Sequence, residues 1–238
     1  MVTDPSEIRL IRGRNLTWGL LDRLGKQIVT GGYHGKPFPT EAELSKEHGV
    51  SRSVTREAVK MLTAKGLLSA RPRQGTIVRP TTSWNLFDPD VLEWLLERKF
   101  SIDLLSQFNQ LRRAIEPAGA ALAAEAADAP ARAMIADGFA RMSAADAGDD
   151  DPLEADIAFH LAILRASGNP FFGQFCDVVA TALRTSIRFT NRIKGRTADL
   201  AMHEAVKIAI DRRDPEAARQ AMISIIDDVV TLIAANKS

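Results

Sequence analysis

The sequence predicts a mainly α protein in two parts. Residues 1–80 read as three helices closed by a β-hairpin, and residues 81–238 as an antiparallel all-helical bundle. Three observations carry this. Apolar residues recur at helical spacing, and short β-type runs occur only near residues 67–78. Capping side chains stand directly before proline at Asp151–Pro152, Asn169–Pro170 and Asp214–Pro215, a pattern suited to helix starts. Charge divides unevenly: residues 1–80 hold 14 Lys and Arg against 7 Asp and Glu, while the remainder holds 17 against 23. A basic first part in a nearly neutral chain points to a nucleic-acid partner for that part alone.

The elements follow in order. The spacing of Leu20, Leu21, Leu24 and Ile28 predicts a helix over about residues 17–30, stopped by Gly31–Gly32. Thr40 with Glu43 forms a capping box for a short second helix that ends near His48–Gly49. Ser51 caps a third helix from Arg52 to Lys65, closed by Gly66. Leu67–Ala70 and Thr76–Val78 read as strands around the turn Arg71–Gly75. This is the order of a winged helix-turn-helix. Pro80 to Asp88 is a polar connector anchored by Trp84 and Phe87, and Asp90, Ser101 and Thr197 mark further helix starts in a bundle of six or seven helices. The single cysteine, Cys176, excludes an internal disulfide. Met1 to Leu10 lacks the apolar run of a signal peptide and no segment is long enough to span a bilayer, so a cytoplasmic, membrane-free protein is expected.

The third helix has two faces. Val54, Ala58, Met61 and Leu62 share one, and Arg52, Arg56 and Lys60 line the other at i, i+4, i+8. Arg52 and Arg56 lie near the helix N-terminus, where a recognition helix meets base edges, and a guanidinium can donate two bonds to guanine. Ser51 and Ser53 beside the helix N-terminus suit a phosphate. Arg71, Arg73 and Gly75 suit a wing that approaches a groove. A solvated basic face is the alternative, which the flanking helix and hairpin argue against. One winged helix makes a small contact with DNA, so a homodimer on a palindromic operator is expected.

Residues 38–44 (FPTEAEL), 50–58 (VSRSVTREA), Leu62, Gly66–Leu67 and 75–78 (GTIV) resemble the signature of the GntR family of bacterial regulators, over about residues 16–79. The resemblance implies DNA contacts at Ser51, Arg52, Arg56, Gln74 and Gly75. Ala42 stands where many members carry an arginine, which implies a different operator preference.

In the second part, residues 155–164 (ADIAFHLAIL) contain only two polar residues, Asp156 and His160, at i, i+4. An almost wholly apolar helix is a buried one. A carboxylate and an imidazole facing one way can chelate a divalent metal, with His203 as a third ligand, or can form a plain buried Asp–His hydrogen bond. An enzyme with an open metal triad and an architectural DNA binder are the competing readings, although no activated nucleophile or general base stands beside the triad.

Leu111–Arg112, Glu116–Pro117, Asp156-x-x-x-His160, Asn169–Pro170, His203 and Asp214–Ala218 are similar to the FCD effector domain of the FadR subgroup, over about residues 88–234. That resemblance implies a divalent metal (Zn, Ni or Mn) on Asp156, His160 and His203 that helps bind a small carboxylate. Ile225 stands where a further histidine is expected, leaving three ligands with open positions. The connector at 84–94 (WNLFDPDVLEW) is similar to that of sugar-acid regulators. It implies a repressor of a galactonate-like catabolic operon, released by its sugar-acid effector. Arg112 is the candidate partner for the effector carboxylate, with a salt bridge to Glu116 as the alternative, and Arg184 and Arg188 are further pocket candidates.

Overall fold

Thr40 and Ser51 organise the first three helices as their types require. Thr40 Oγ1 accepts from Glu43 N at 3.3 Å while Glu43 Oε2 accepts from Thr40 N at 2.7 Å, the reciprocal capping box. Ser51 Oγ accepts from Val54 N at 3.3 Å. The computed structural model describes residues 5–34, 36–71, 75–98, 102–194 and 198–235. The chain divides into two compact units, Met1–Lys99 and Phe100–Ser238.

The first unit holds α1 (Pro5–Val29), α2 (Glu41–His48), α3 (Arg52–Ala64), β1 (Leu68–Arg71), β2 (Gly75–Val78), a 3-10 turn (Thr81–Ser83) and α4 (Pro89–Arg98). The strands pair antiparallel with Leu68 opposite Val78 and Arg71 opposite Gly75, so the expected hairpin is present. Gly75 has φ 74°, a left-handed conformation that glycine adopts without strain. The core collects Leu20, Leu21, Leu24, Leu44, Val54, Ala58, Leu62 and Leu67. α1 begins well before the expected residue 17, upstream of the apolar stripe that opens at Leu20.

The unit also runs past the boundary expected at residue 80. Trp84, Val91 and Trp94 belong to its core. Trp94 Nε1 donates to Asp22 Oδ1 at 2.8 Å, and its ring covers Gly25, where a Cβ has no room. Lys65 Nζ, at the end of α3, contacts Asp88 Oδ2 at 2.7 Å and Asp90 Oδ2 at 2.8 Å. Trp84 therefore anchors the connector as expected, whereas Phe87, the other expected anchor, is 54% exposed.

The second unit holds α5 (Ile102–Ala126), α6 (Ala129–Ala147), α7 (Pro152–Ala166), α8 (Pro170–Gln174), α9 (Cys176–Lys194), α10 (Leu200–Asp211) and α11 (Pro215–Ala235). Among the described residues it has no strand. α7 packs against α5, α6, α8 and α9, while α10 packs against α5, α6 and α11. The starts at Pro152, Pro170 and Pro215 fall where the capped prolines put them. The expected markers Ser101 and Thr197 lie outside the described residues. One start was not foreseen: Asp128 Oδ1 accepts from Ala131 N at 2.8 Å and opens α6. Among the described residues, no helix is long and apolar enough to cross a membrane.

Candidate functional site

On α3, Val54, Ala58 and Leu62 are buried, whereas Arg52, Ser53, Arg56 and Lys60 are exposed on the other face. Ser51 Oγ lies 2.8 Å from Ser53 Oγ, which ties both hydroxyls to the helix start. Arg56 Nε donates to Glu41 Oε2 at 3.3 Å, and Lys60 Nζ lies 3.8 Å from Glu57 Oε2. Glu41 was not singled out in the sequence; its place in the first turn of α2 could have drawn notice. Gly75 is exposed in the hairpin. Arg73 and Gln74 lie outside the described residues.

The second unit buries a polar cluster in an otherwise apolar core. Asp151 caps α7, accepting from Leu153 N at 2.8 Å and Glu154 N at 3.1 Å, and the helix carries Asp156 and His160 inward. Asp199 caps α10, accepting from Met202 N at 3.2 Å, and His203 follows one turn on. Asp156, His160 and His203 are 6%, 2% and 3% exposed. Asp156 Oδ1 lies 3.2 Å from His160 Nε2 and 3.3 Å from His203 Nε2. The two imidazoles meet edge to face, with centroids 5.6 Å apart and planes at 86°. The cluster extends beyond the sequence motif. His160 Nδ1 lies 2.7 Å from Glu116 Oε2, and Arg112 donates to Glu116 through Nε at 2.5 Å and Nη2 at 3.3 Å. Arg112 Nη1 donates to Asn109 Oδ1 at 3.2 Å.

Charge follows from this packing. Burial opposes ionisation of Glu116, but the Arg112 guanidinium and His160 outweigh it and hold the carboxyl at about 2. Burial likewise opposes the Asp156 carboxylate, yet both histidines hold it far below the usual range. His160, whose burial alone would favour the neutral ring, is raised to about 9 by Glu116 and Asp156. Breaking one partner out of such a buried pair costs roughly 3–5 kcal/mol, because the other charge is stranded.

The donor set fits a divalent ion. One ligand atom from each of Asp156, His160 and His203 lies within 4.8 Å of the others. Asp156 Oδ1 and His203 Nε2 are buried without a well-directed hydrogen bond, and such orphaned polar atoms require a partner. His203 Nδ1 lies 2.7 Å from the Asp199 carbonyl oxygen. A carbonyl only accepts, so the neutral ring carries its proton on Nδ1 and presents the Nε2 lone pair.

Residues 19–78 match the gntR family of bacterial regulatory proteins, and residues 107–228 match the FCD domain. The chain belongs to the GntR family, with an FCD domain. This GntR-family regulator is 36% identical over 217 residues to the galactonate operon transcriptional repressor of Escherichia coli strain K12, covering 89% of this chain and 94% of that protein. It is 33% identical over 221 residues to an HTH-type transcriptional regulator, YieP, of the same strain, covering 92% and 95%. The solved structure of E. coli McbR/YncC shares the fold with TM-score 0.51 at 18% identity, covering 94% of this chain and 99% of that one.

The regulator's other candidate residues separate. Arg112 is buried on the Glu116 side of the cluster, so the salt bridge weighed in the sequence is formed. Among the described residues, three of the five guanidinium N–H groups are engaged, leaving two. Arg184 is not brought to the cluster: it is exposed and pairs with Glu154, Nε to Oε1 at 3.1 Å. The Arg188 side chain lies outside the described residues. Ile225 is buried in the apolar cluster that also holds Phe159. Sequence reasoning saw Glu116 only as a partner for Arg112 and missed its contact with His160, since nothing in α5's pattern says which helix faces it.

Proposed function

We propose that this GntR-family regulator represses a sugar-acid catabolic operon and leaves its operator when a small carboxylate effector binds the buried cluster. The observation that carries this reading is the convergence of Asp156, His160 and His203 ligand atoms in an apolar core. A divalent ion there (Zn, Ni or Mn) would be held by these three side chains, and when bound it supplies a Lewis-acid anchor for effector oxygens. With Ile225 contributing no ligand, positions are left for the carboxylate and adjacent hydroxyl of a sugar acid. Arg112 has two N–H groups left to donate to that carboxylate. The 36% identity to a galactonate operon repressor supports a galactonate-like effector. The protein acts in the cytoplasm as a binding protein and catalyses no reaction.

On the DNA side, Arg52 and Arg56 read bases, and Ser51, Ser53 and Lys60 hold phosphates. Arg73, Gln74 and Gly75 form the wing contact. A homodimer presents two such surfaces to a palindromic operator.

Calorimetry tests the effector site. Wild-type protein loaded with Zn2+ is expected to bind D-galactonate, and chelation is expected to weaken that binding at least tenfold, with recovery on metal return. Equal affinity in both states would remove the metal from the reading. A second reading is a structural ion network. One observation favours it: Arg112 and His160 balance Glu116 and Asp156 without any added charge. On that reading no sugar acid and no divalent ion shifts the melting temperature.

A further inference from the structure

The two histidines of the cluster are built alike. Behind each ring an oxygen stands close to Nδ1, and in front of each Nε2 lies Asp156 Oδ1. For His203 the oxygen is the Asp199 carbonyl, 2.7 Å away. For His160 it is Glu116 Oε2, also at 2.7 Å. Glu116 sits behind the ring, apart from the three convergent ligand atoms. It is 1% exposed, so water does not compete for its oxygens. Arg112 grips both of its oxygens from the same helix. Asn109 in turn accepts from Arg112 and donates through Nδ2 to the Leu105 carbonyl at 2.9 Å. The chain Leu105–Asn109–Arg112–Glu116 therefore runs along α5 and ends on His160.

We infer that Glu116 is a positioning residue for the metal centre: its carboxylate fixes His160 as the Nδ1–H tautomer, so that Nε2 is the ligand atom, and Arg112 braces the carboxylate. This rests on the metal reading above. The physical reason is general. An imidazole has two nitrogens, and the one that binds a metal is set by the hydrogen bond that the other makes. A carboxylate behind the ring also makes the ligating nitrogen more basic and stops the ring from turning. In the structure the His160 Nδ1 contact has hydrogen-bond length but is off the N–H axis. Arg112 thereby has a role separate from any effector contact, since it holds Glu116 in place.

The first test needs no substitution. Nitrogen-15 spectra of the Zn2+-loaded wild-type protein report the tautomer of each histidine. The expected result is Nδ1–H with metal on Nε2 for both His160 and His203. The opposite tautomer at His160 overturns the inference. The second test reads metal affinity by Co2+ absorption. A lone Glu116→Met change strands the buried Arg112 charge, so the series is built on Arg112→Met. Arg112→Met alone, which keeps the carboxylate but removes its brace, is expected to weaken Co2+ binding by about threefold or more, short of the loss in the double variant. Arg112→Met/Glu116→Met is expected to bind about 10–100-fold more weakly. Arg112→Met/Glu116→Gln, which restores a neutral acceptor behind Nδ1, is expected to recover part of that loss. If the wild type takes up neither Zn2+ nor Co2+, the metal reading and this inference fall together. If the wild type binds and the Met/Met variant binds equally well, the inference alone is overturned. Should that variant not fold, the wild-type tautomer decides.

Discussion

At the scale of the residue, the two arginines of the recognition helix have different surroundings. Both are exposed, but Arg56 leans on Glu41 across 3.3 Å and must leave it to reach a base. An exposed pair of this kind is worth about 0–1 kcal/mol, less than a bidentate contact to guanine, so the pair does not bar the proposed base contact. Arg52→Ala and Arg56→Ala are each expected to cost about 1–3 kcal/mol of discrimination between operator and random DNA. Lys60→Ala, on the proposal that Lys60 touches only phosphate, should weaken both alike and make the salt dependence shallower by roughly one counterion. Fluorescence anisotropy over a salt series separates the two behaviours. If both arginine variants bound operator and random DNA as wild type does, the wrong face of α3 would have been assigned.

At the scale of the element, α4 decides where the first unit ends. A boundary at residue 80 follows from the end of the hairpin, where the winged helix pattern closes. The chain instead returns Trp94 to α1, over Gly25. That docking is a contact between residues 72 apart in sequence, and no local pattern encodes it. The same limit applies to the site. The i, i+4 pair Asp156 and His160 was legible because both sit on one helix, as was the Arg112–Glu116 pair. Their meeting through Glu116 and His160 joins α5 to α7 and was not. The start of α6 at Asp128 was missed for another reason: alanine runs on both sides of the break, so apolar spacing gives no boundary. Two glycines on α1 test the docking. At Gly25 an added methyl meets the Trp94 ring, which is 3% exposed and packed. Gly25→Ala should cost about 1–3 kcal/mol through overpacking, more than the roughly 1 kcal/mol of helix propensity gained. Gly19 is exposed with nothing within 4 Å, so Gly19→Ala should instead stabilise by about 0.5–1 kcal/mol. Thermal melts of the two variants should therefore move in opposite directions; equal shifts would mean that Trp94 does not pack on Gly25.

At the scale of the whole molecule, charge and burial assign separate tasks to the two units. Residues 1–80 are basic and carry the proposed recognition surface, while the acidic remainder buries the polar cluster. An effector in the second unit changes operator affinity only if it prefers one of two states of the molecule, and the coupling is reciprocal. His160 is the residue at which this is tested. When it is removed, Glu116 keeps its fork from Arg112, whereas Asp156 keeps only the His203 ring at 3.3 Å, so a melting curve accompanies each binding measurement. The α3 surface is untouched by the change. His160→Ala is therefore expected to bind the operator with wild-type affinity, to lose at least tenfold in metal affinity, and to remain on DNA at sugar-acid concentrations that release the wild type. Gel-shift titrations with and without D-galactonate, beside a melting curve for each protein, provide the measurement. A variant that is folded, binds operator and is still released at the wild-type concentration would place the effector somewhere other than this cluster. A variant that unfolds would instead make the ion network a requirement of the bundle, the outcome that the second reading of the site demands.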